Sequence, residues 1–183
     1  NRIINGITNG TLWLIHGMPT VLLLMILYYI VFGWSRLSGT VVSVVGFTLI
    51  FACAMYEMLS VGFGAIGHGQ YEAATALGYN DSQSFFKILL PQAAKHFMPL
   101  YKNEVVTLIK ETSVAGYIAV QELTKISDLV RARTYQAFFA LIFTAIIYFV
   151  ISAILTRIVG AVEKKIDPKK RSQEKILEGI TVE

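Results

Sequence analysis

Long runs without a charged residue constrain the fold of this chain more than any other feature of its sequence. Gly17 to Trp34 covers 18 residues, and Leu37 to Tyr56 covers 20. At a rise of about 1.5 Å per residue, helices of this length nearly match the roughly 30 Å hydrocarbon core of a bilayer. A helix also satisfies its own backbone polar groups, as lipid requires. The sequence therefore predicts membrane-spanning helices.

The composition agrees with a membrane protein. Of the 183 residues, 55% are hydrophobic and 15% are charged, and the mean hydropathy is +0.58. An ordinary soluble domain is less apolar. Tyr135 to Thr156 predicts a last span, and Lys95 to Tyr117, which is apolar overall but contains charges, predicts another. We expect an all-α membrane protein with a bundle of about four visible transmembrane helices, preceded by an interfacial or short buried helix.

The positive charge is concentrated at one end of the chain. The net charge is +4, which by itself would allow nucleic-acid binding. The cations that follow the last apolar run are Lys164, Lys165, Lys169, Lys170, Arg171 and Lys175. Such a cluster beside a span is typical of a cytoplasmic flank. We therefore expect a cytoplasmic C-terminus, no nucleic-acid partner and a lipid bilayer around the helices.

The sequence contains few residues suited to catalysis, metal binding or cofactor binding. Cys53 is the single cysteine, and the three histidines lack metal-ligand spacing. Gly62, Gly64 and Gly67 spell a dinucleotide-binding pattern, but the run before them is long enough to span a membrane and no βαβ unit fits around them. We expect no catalytic residues, no metal and no cofactor. These glycines instead predict a flexible joint.

A polar segment from Glu72 to Pro91 interrupts the apolar pattern. Tyr71 to Leu77 is rich in helix formers, and Gly78 interrupts that run. Asn80-Asp81-Ser82 then offers N-cap residues for a second helix that ends near Pro91. The segment predicts a helix-turn-helix at a membrane face.

The spacing in this segment resembles the signature of permease subunits of binding-protein-dependent ABC importers. The matching residues are Glu72, Ala73, Ala74, Gly78, Ile88 and Pro91. Gly17-Met18-Pro19, Lys110-Glu111-Thr112-Ser113 and Gln121-Glu122-Leu123 are similar to the polar-amino-acid group, of histidine, glutamine or arginine type. The resemblance covers essentially the whole chain and implies a type I ABC importer-like fold. It also implies that the hairpin, residues 68–92, is a cytoplasmic coupling element that sits in a groove of an ATPase subunit.

The predicted span 95–117 has one charged face. Glu104, Thr107 and Glu111 are spaced i, i+3 and i+7, with Lys110 beside them. A charge near the bilayer centre costs about 2.5 kcal/mol or more, so these residues should face protein or water. Two interpretations stay open, a path for a zwitterionic solute and internal ion pairs that hold helices together. The resemblance favours the path and adds Ser113.

Glu57 ends the second charge-free run. It could face the same path or a partner subunit, because the resemblance has an acidic residue at a similar place. It could equally be an interfacial carboxylate that reaches toward water.

Taken as a member of this family, the chain is the membrane subunit of an ATP-driven amino-acid importer and not itself an enzyme. The implied partners are an ATP-binding cassette ATPase subunit, a second permease subunit in a homodimer or heterodimer, and an extracytoplasmic solute-binding protein, either separate or fused. The implied location is a bacterial inner membrane. The alternative function is an ATP-independent channel or ion-coupled carrier. A membrane enzyme is the third and least favoured hypothesis.

The expected domain division is simple. Residues 1–171 would form the transmembrane permease domain, including the hairpin, and residues 172–183 a cytoplasmic tail. Because the chain begins with Asn1 and not with Met, we expect a fragment that lacks at least one earlier span. The residue pattern leaves open which amino acid is carried.

Overall fold

The computed structural model describes residues 2–167, without the side chains of residues 3–5. The α-helices in that range are α1 Arg2–His16, α2 Thr20–Ile26, α3 Gly39–Gly64, α4 Gly69–Ala76, α5 Asp81–Gln83, α6 Leu90–Glu111, α7 Leu123–Thr134 and α8 Ala137–Ile166. Two π-helical segments, Leu27–Val31 and Ser84–Leu89, follow α2 and α5, and the 3₁₀-helix Thr112–Ile118 follows α6. The described residues include no strand, and the predicted all-α class is confirmed.

The predicted tail, residues 172–183, lies outside the described residues. Lys175 within the tail, and the three cations just before it, Lys169, Lys170 and Arg171, lie outside them too. Within the described range the chain forms two compact units. The first contains residues up to Ala54 together with Val106–Ser152, and the second contains Met55–Val105 and the described residues from Ala153 onward. Helices α3, α6 and α8 each contribute residues to both units.

The core of the first unit depends on close helix packing. Leu24 of α2, Val42 of α3 and Ile118 of the 3₁₀-helix are fully buried together. Gly46 of α3 lies against the Leu24 side chain, with no space for a Cβ. Small residues allow membrane helices to approach closely, as the composition of this run predicted.

The first predicted span is shorter than its charge-free run. Only residues 20–31 of that run form a helix, which extends about 18 Å at 1.5 Å per residue. The break before α2 falls at Gly17-Met18-Pro19, and Pro19 is the N-cap of α2, where its missing N–H costs least. Residues 6–16 of α1 meet the 20–31 helix at an angle of 111°, as a broken span or a re-entrant loop would.

The other predicted spans extend beyond their apolar runs. Helix α3 continues past Glu57 to Gly64, and α8 continues to Ile166 through the first tail cations. Glutamate and lysine are good helix formers, so a charge marks the edge of an apolar run and not the end of a helix. Within residues 2–167, α3 and α8 are long and apolar enough to cross a membrane, and the bent α1–α2 pair counts as a third candidate. Helix α6, with its five charges, does not meet that criterion by composition.

Candidate functional site

The turn of the polar hairpin is built around Gly78. Helix α4 ends at Ala76, and Gly78 adopts a φ of +82°. The amide of Gly78 donates to the carbonyl of Thr75 at 2.9 Å, and the amide of Tyr79 donates to the carbonyl of Ala74 at 3.1 Å. These two bonds form a Schellman C-cap. Because glycine adopts a positive φ at little cost, Gly78 determines where α4 ends, and the predicted break is confirmed.

The second arm of the hairpin begins with a capping box. The Asn80 side chain accepts a hydrogen bond from the Gln83 amide at 2.9 Å, and the Gln83 side chain accepts one from the Asn80 amide at 3.2 Å. Each side chain thereby satisfies a backbone donor that the first helical turn leaves unpaired. The predicted N-cap at Asn80 is confirmed.

The predicted end of the second arm near Pro91 is wrong. Helix α5, the π-helical segment Ser84–Leu89 and α6 follow one another directly, so helical structure continues from Asp81 to Glu111. A proline in a helix removes one N–H and crowds the carbonyl four residues earlier. Pro91 is the second residue of α6, and the carbonyl four residues before it, that of Lys87, lies in the wider π-helical segment, where that bonding pattern has already changed. Helical structure therefore runs without interruption from the second arm of the hairpin into the charged helix.

Side-chain contacts join the two arms of the hairpin. The Tyr71 hydroxyl donates to the Asp81 carboxylate at 2.9 Å, and the Gln92 side chain donates to that of Gln70 at 3.1 Å. The hydrogen bond to Asp81 and the charge of that carboxylate raise the pKa of Tyr71. The two contacts join side chains that are 10 and 22 positions apart in the chain. Because of this separation, the sequence pattern did not reveal them.

The six signature residues occupy two kinds of position. Ala74 is fully buried and Ile88 is half-buried, so these two pack within the hairpin. Glu72, Ala73, Gly78 and Pro91 are exposed. Beside them Leu77 and Phe86 expose 76% and 66% of their surface. The hairpin thus combines a packed interior with a mixed acidic and apolar outer surface, which suits contact with another protein.

The predicted charged face of α6 is present along that helix. Glu104, Thr107 and Glu111 are half-buried, whereas Lys110 is exposed. The Thr20 hydroxyl donates to the Glu111 carboxylate at 3.4 Å, which ties α6 to the start of α2. Glu57 is exposed on α3.

A buried ion pair connects α6 to α8. Lys102 Nζ lies 2.9 Å from Glu163 Oε2, and the two side chains are 27% and 6% exposed. The sequence pattern does not indicate this pair, because 61 residues separate its two members. The only signal in the sequence was an acid, Glu163, directly before the basic tail. At Lys102 the ion-pair interpretation of the charged span therefore applies.

The first unit contains a polar cavity of about 200 Å³ that sequence analysis did not find. Its lining residues are Ser113, Gly116, Tyr117, Glu122, Thr124, Lys125 and Asp128. Ser113 is the one residue of the predicted solute path that lines it. The signal available in the sequence was the Gln121-Glu122-Leu123 similarity.

Glu122 is held in place by several donors. Its carboxylate accepts hydrogen bonds from the amides of Thr124 and Lys125, both at 2.6 Å, and so caps α7. The Tyr148 hydroxyl donates to the same carboxylate at 3.3 Å. Asp128 pairs instead with Arg131 at 3.1 Å, and both side chains are nearly half-exposed. The residues that line the cavity therefore include two acidic side chains and one lysine. Within residues 2–167 no group of three metal-ligating side chains is assembled.

A protein-family model described as "Binding-protein-dependent transport system inner membrane component" matches residues 1–168. The chain is 37% identical over 156 residues to the arginine transport system permease protein ArtQ of Bacillus subtilis, covering 82% of this chain and 70% of that protein. It is 30% identical over 154 residues to the probable glutamine ABC transporter permease protein GlnM of Bacillus subtilis, covering 84% and 71%.

Further similarity is found to the nopaline transport system permease protein NocM of Agrobacterium fabrum, at 29% identity over 188 residues, 94% of this chain and 76% of that protein. Among solved structures, the crystal structure of an amino acid ABC transporter with histidines superimposes with a TM-score of 0.78 at 25% identity. The superposition covers 90% of this chain and 77% of that chain.

Proposed function

Because the chain belongs to the family of inner-membrane components of binding-protein-dependent transport systems, we propose that it is the membrane subunit of an ATP-driven amino-acid importer. In this proposal it forms the translocation path and couples that path to a separate ATPase subunit. The names of ArtQ and GlnM, which refer to arginine transport and a glutamine ABC transporter, support an amino-acid solute.

The observation that carries the proposal is the geometry of the hairpin 68–92. Its turn and its second arm are fixed by the Gly78 C-cap and the Asn80 capping box, and its second arm runs directly into α6. Glu72, Leu77 and Phe86 remain exposed on it. A rigid, partly apolar projection that continues into a charged helix suits a docking element that passes motion to a solute path.

The proposed solute path has two parts. One part is the face of α6 that carries Glu104, Thr107, Lys110 and Glu111. To it we add Glu57, the acidic residue of α3. The other is the polar cavity at Ser113, Glu122 and Asp128, which is smaller than the roughly 300–1,000 Å³ pockets of drug-sized ligands, as a site for a small polar solute would be. Carboxylates suit the ammonium group of an amino acid, and Lys125 suits its carboxylate.

The remaining assignments extend the same proposal. The subunit would pair with a second permease subunit and receive solute from an extracytoplasmic binding protein, since the family description names a binding-protein-dependent system. Lys164 and Lys165 at the end of α8 support a cytoplasmic C-terminus by the positive-inside rule. We keep residues 1–171 as the permease domain, with the hairpin inside it, and residues 172–183 as its tail.

The decisive experiment is reconstitution with the ATPase and binding-protein subunits of its own system. Proteoliposomes should accumulate labelled L-arginine or L-glutamine only when MgATP is present on the ATPase side. The same vesicles without the ATPase subunit are the control. Uptake that proceeds without the ATPase would contradict the proposal and favour an ATP-independent channel or ion-coupled carrier.

A further inference from the structure

An aromatic contact joins the end of α3 to the hairpin. The ring of Phe63, in the last turn of α3, stacks on the ring of Phe85 in the π-helical segment, with centroids 5.4 Å apart and planes inclined by 20°. Phe86 meets Phe85 edge-on at 5.0 Å. Stacked rings at this distance attract each other beyond the area that they bury. This contact is separate from the Gly78 turn and from the continuous helix into α6.

Next to the ring contact, α3 and α6 approach each other as closely as their backbones allow. Gly62 is buried, and a Cβ at this position would lie 3.0 Å from the Ala93 carbonyl oxygen and 3.0 Å from a ring carbon of Phe97. Ala93 is itself fully buried. A close-packed contact of this kind has no free volume in which to absorb a displacement. The last turn of α3 is therefore held both by α6 and by the hairpin.

The hairpin has little freedom to deform on its own. The Tyr71–Asp81 bond crosses its turn, and the Gln70–Gln92 bond joins α4 to the first turn of α6. Ala74 and Ser84, 0% and 1% exposed, fill the contact between its arms. Displacement of the outer surface can reach the neighbouring helices through the continuous helix into α6, through the ring contact with α3, and through residues 65–68, which join α3 to α4.

We propose that Phe63 and Phe85 form a strut that passes displacement of the hairpin to α3, with the Gly62 contact holding α3 against α6 while it moves. This inference rests on the proposed function, because it assumes that an ATPase displaces the hairpin. Both phenylalanines are positioning residues, since their role is to join two helices and not to contact solute or nucleotide.

The test measures solute imported per ATP hydrolysed in the complete assembly. Phe63→Ala and Phe85→Ala should each lower this ratio by about two- to tenfold, the factor that one aromatic pair can carry, while the ATPase stays bound. The double variant should be no worse than either single variant, because each alone removes the contact. Phe85→Tyr keeps a ring and should keep the ratio. Phe138→Ala removes an exposed aromatic pair at the start of α8 and is the matched control.

Hydrogen exchange in the purified subunit tests the strut without any partner. Phe85→Ala should speed amide exchange in residues 58–64 and 79–90, and Phe138→Ala should not. If Phe85→Ala fails to assemble, Phe85→Leu fills the space without a ring and carries the same expectation.

The outcomes separate this inference from the proposed function. Wild-type vesicles without ATP-driven uptake would overturn the proposed function and, with it, the role of the strut. ATP-driven uptake with an unchanged ratio in both alanine variants would overturn the strut alone. Additive losses in the double variant would also overturn it, since the two rings would then act separately.

Discussion

Gly78 is the residue of the hairpin at which we expect a substitution to be most harmful. Its φ of +82° is a left-handed conformation, although a Cβ there would meet no atom within 4 Å. The constraint is therefore conformational and not steric. Gly69, at the start of α4, also has open space around it but no positive φ, which makes it a matched comparison.

We expect Gly78→Val to destabilise the hairpin by about 1–2 kcal/mol, the cost of a left-handed conformation for a residue with a side chain. Amide exchange across residues 70–90 should accelerate, and ATP-driven uptake should fall although the protein still inserts into the membrane. Gly69→Val should change neither quantity appreciably. Normal uptake by Gly78→Val vesicles would remove the support for the coupling role of this turn.

Tyr71 provides a pH-dependent contact in the hairpin. Its pKa is raised because the neutral phenol donates to Asp81 and because the carboxylate disfavours a phenolate beside it. For an acid with a raised folded pKa, the stabilisation is complete below the unfolded pKa of about 10 and is lost as the pH rises through the higher folded pKa. The tie should therefore be unaffected across the neutral range.

In a titration of tyrosine absorbance at 295 nm, the component missing from Tyr71→Phe should lie above pH 10. Asp81→Asn removes the negative charge and should move that component back toward the ordinary value. A Tyr71 component at the ordinary value in the wild type would mean that the hydrogen bond to Asp81 does not form in the membrane-bound protein.

At the scale of helices, the charged α6 is held by at least one buried ion pair. Lys102 and Glu163 join it to the end of α8, and Glu163 is almost completely buried. Removing one partner of such a pair leaves an uncompensated charge, whereas replacing both with apolar residues is often tolerated. Asp128–Arg131 is an exposed pair in the same protein, with both side chains nearly half-exposed.

We expect Glu163→Ala to lower the free energy of unfolding by about 1–3 kcal/mol, because it removes the partner of Lys102, which is itself only 27% exposed. The double variant Lys102→Met, Glu163→Leu should recover most of that loss. Asp128→Ala should cost no more than about 1 kcal/mol, because exposed pairs contribute little. Thermal unfolding in detergent measures all three variants, and a Glu163→Ala melting curve equal to that of the wild type would contradict the prediction.

Substitutions at the two acidic residues of α6 can distinguish a solute path from helix packing. If Glu104 and Glu111 contact a cationic group of the solute, Glu104→Gln and Glu111→Gln remove a charge-assisted hydrogen bond worth about 1.5–3 kcal/mol, or roughly ten- to a hundredfold in affinity. The melting temperature should change little, since glutamine has nearly the same shape as glutamate and, at position 111, can still accept the hydrogen bond from Thr20. A lowered melting temperature with normal solute affinity would assign these acids to packing.

At the scale of the molecule, orientation in the membrane determines which partner each segment can meet. The hairpin and the end of α8 should both face the cytoplasm, and the turn between α7 and α8 should face outward. Cysteine labelling can test this orientation. Ser84 in the hairpin and Ser127 in α7 are 1% and 6% exposed, so cysteines at these two positions would be poorly accessible to a thiol reagent. Ser82, Lys165 and Gln136 are exposed and serve instead.

In a Cys53→Ala background, Ser82→Cys and Lys165→Cys should react with an impermeant thiol reagent only after the cytoplasmic side is opened. Gln136→Cys should react in intact cells and controls for access of the reagent. Reaction of Ser82→Cys in intact cells would mean that the spans have been counted incorrectly and that the hairpin cannot meet a cytoplasmic ATPase.

The sequence alone determined the all-α membrane class, the family resemblance, the Gly78 turn and the Asn80 cap. These features depend on apolar run length or on residues within a few positions of one another, so local chemistry is sufficient to predict them. The sequence was misleading at Pro91 and Glu57. Proline often ends a helical pattern and a charge often ends an apolar run, but at these two positions the helix continues.

Only the tertiary structure decided which distant residues meet. Lys102 pairs with Glu163, Phe63 stacks on Phe85, and Ser113 shares a cavity with Asp128. Ala74 is buried and Ala73 exposed although the two are neighbours in one motif. Each of these facts depends on how helices pack against each other, and the period of a helix predicts which residues share a face but not what that face will contact.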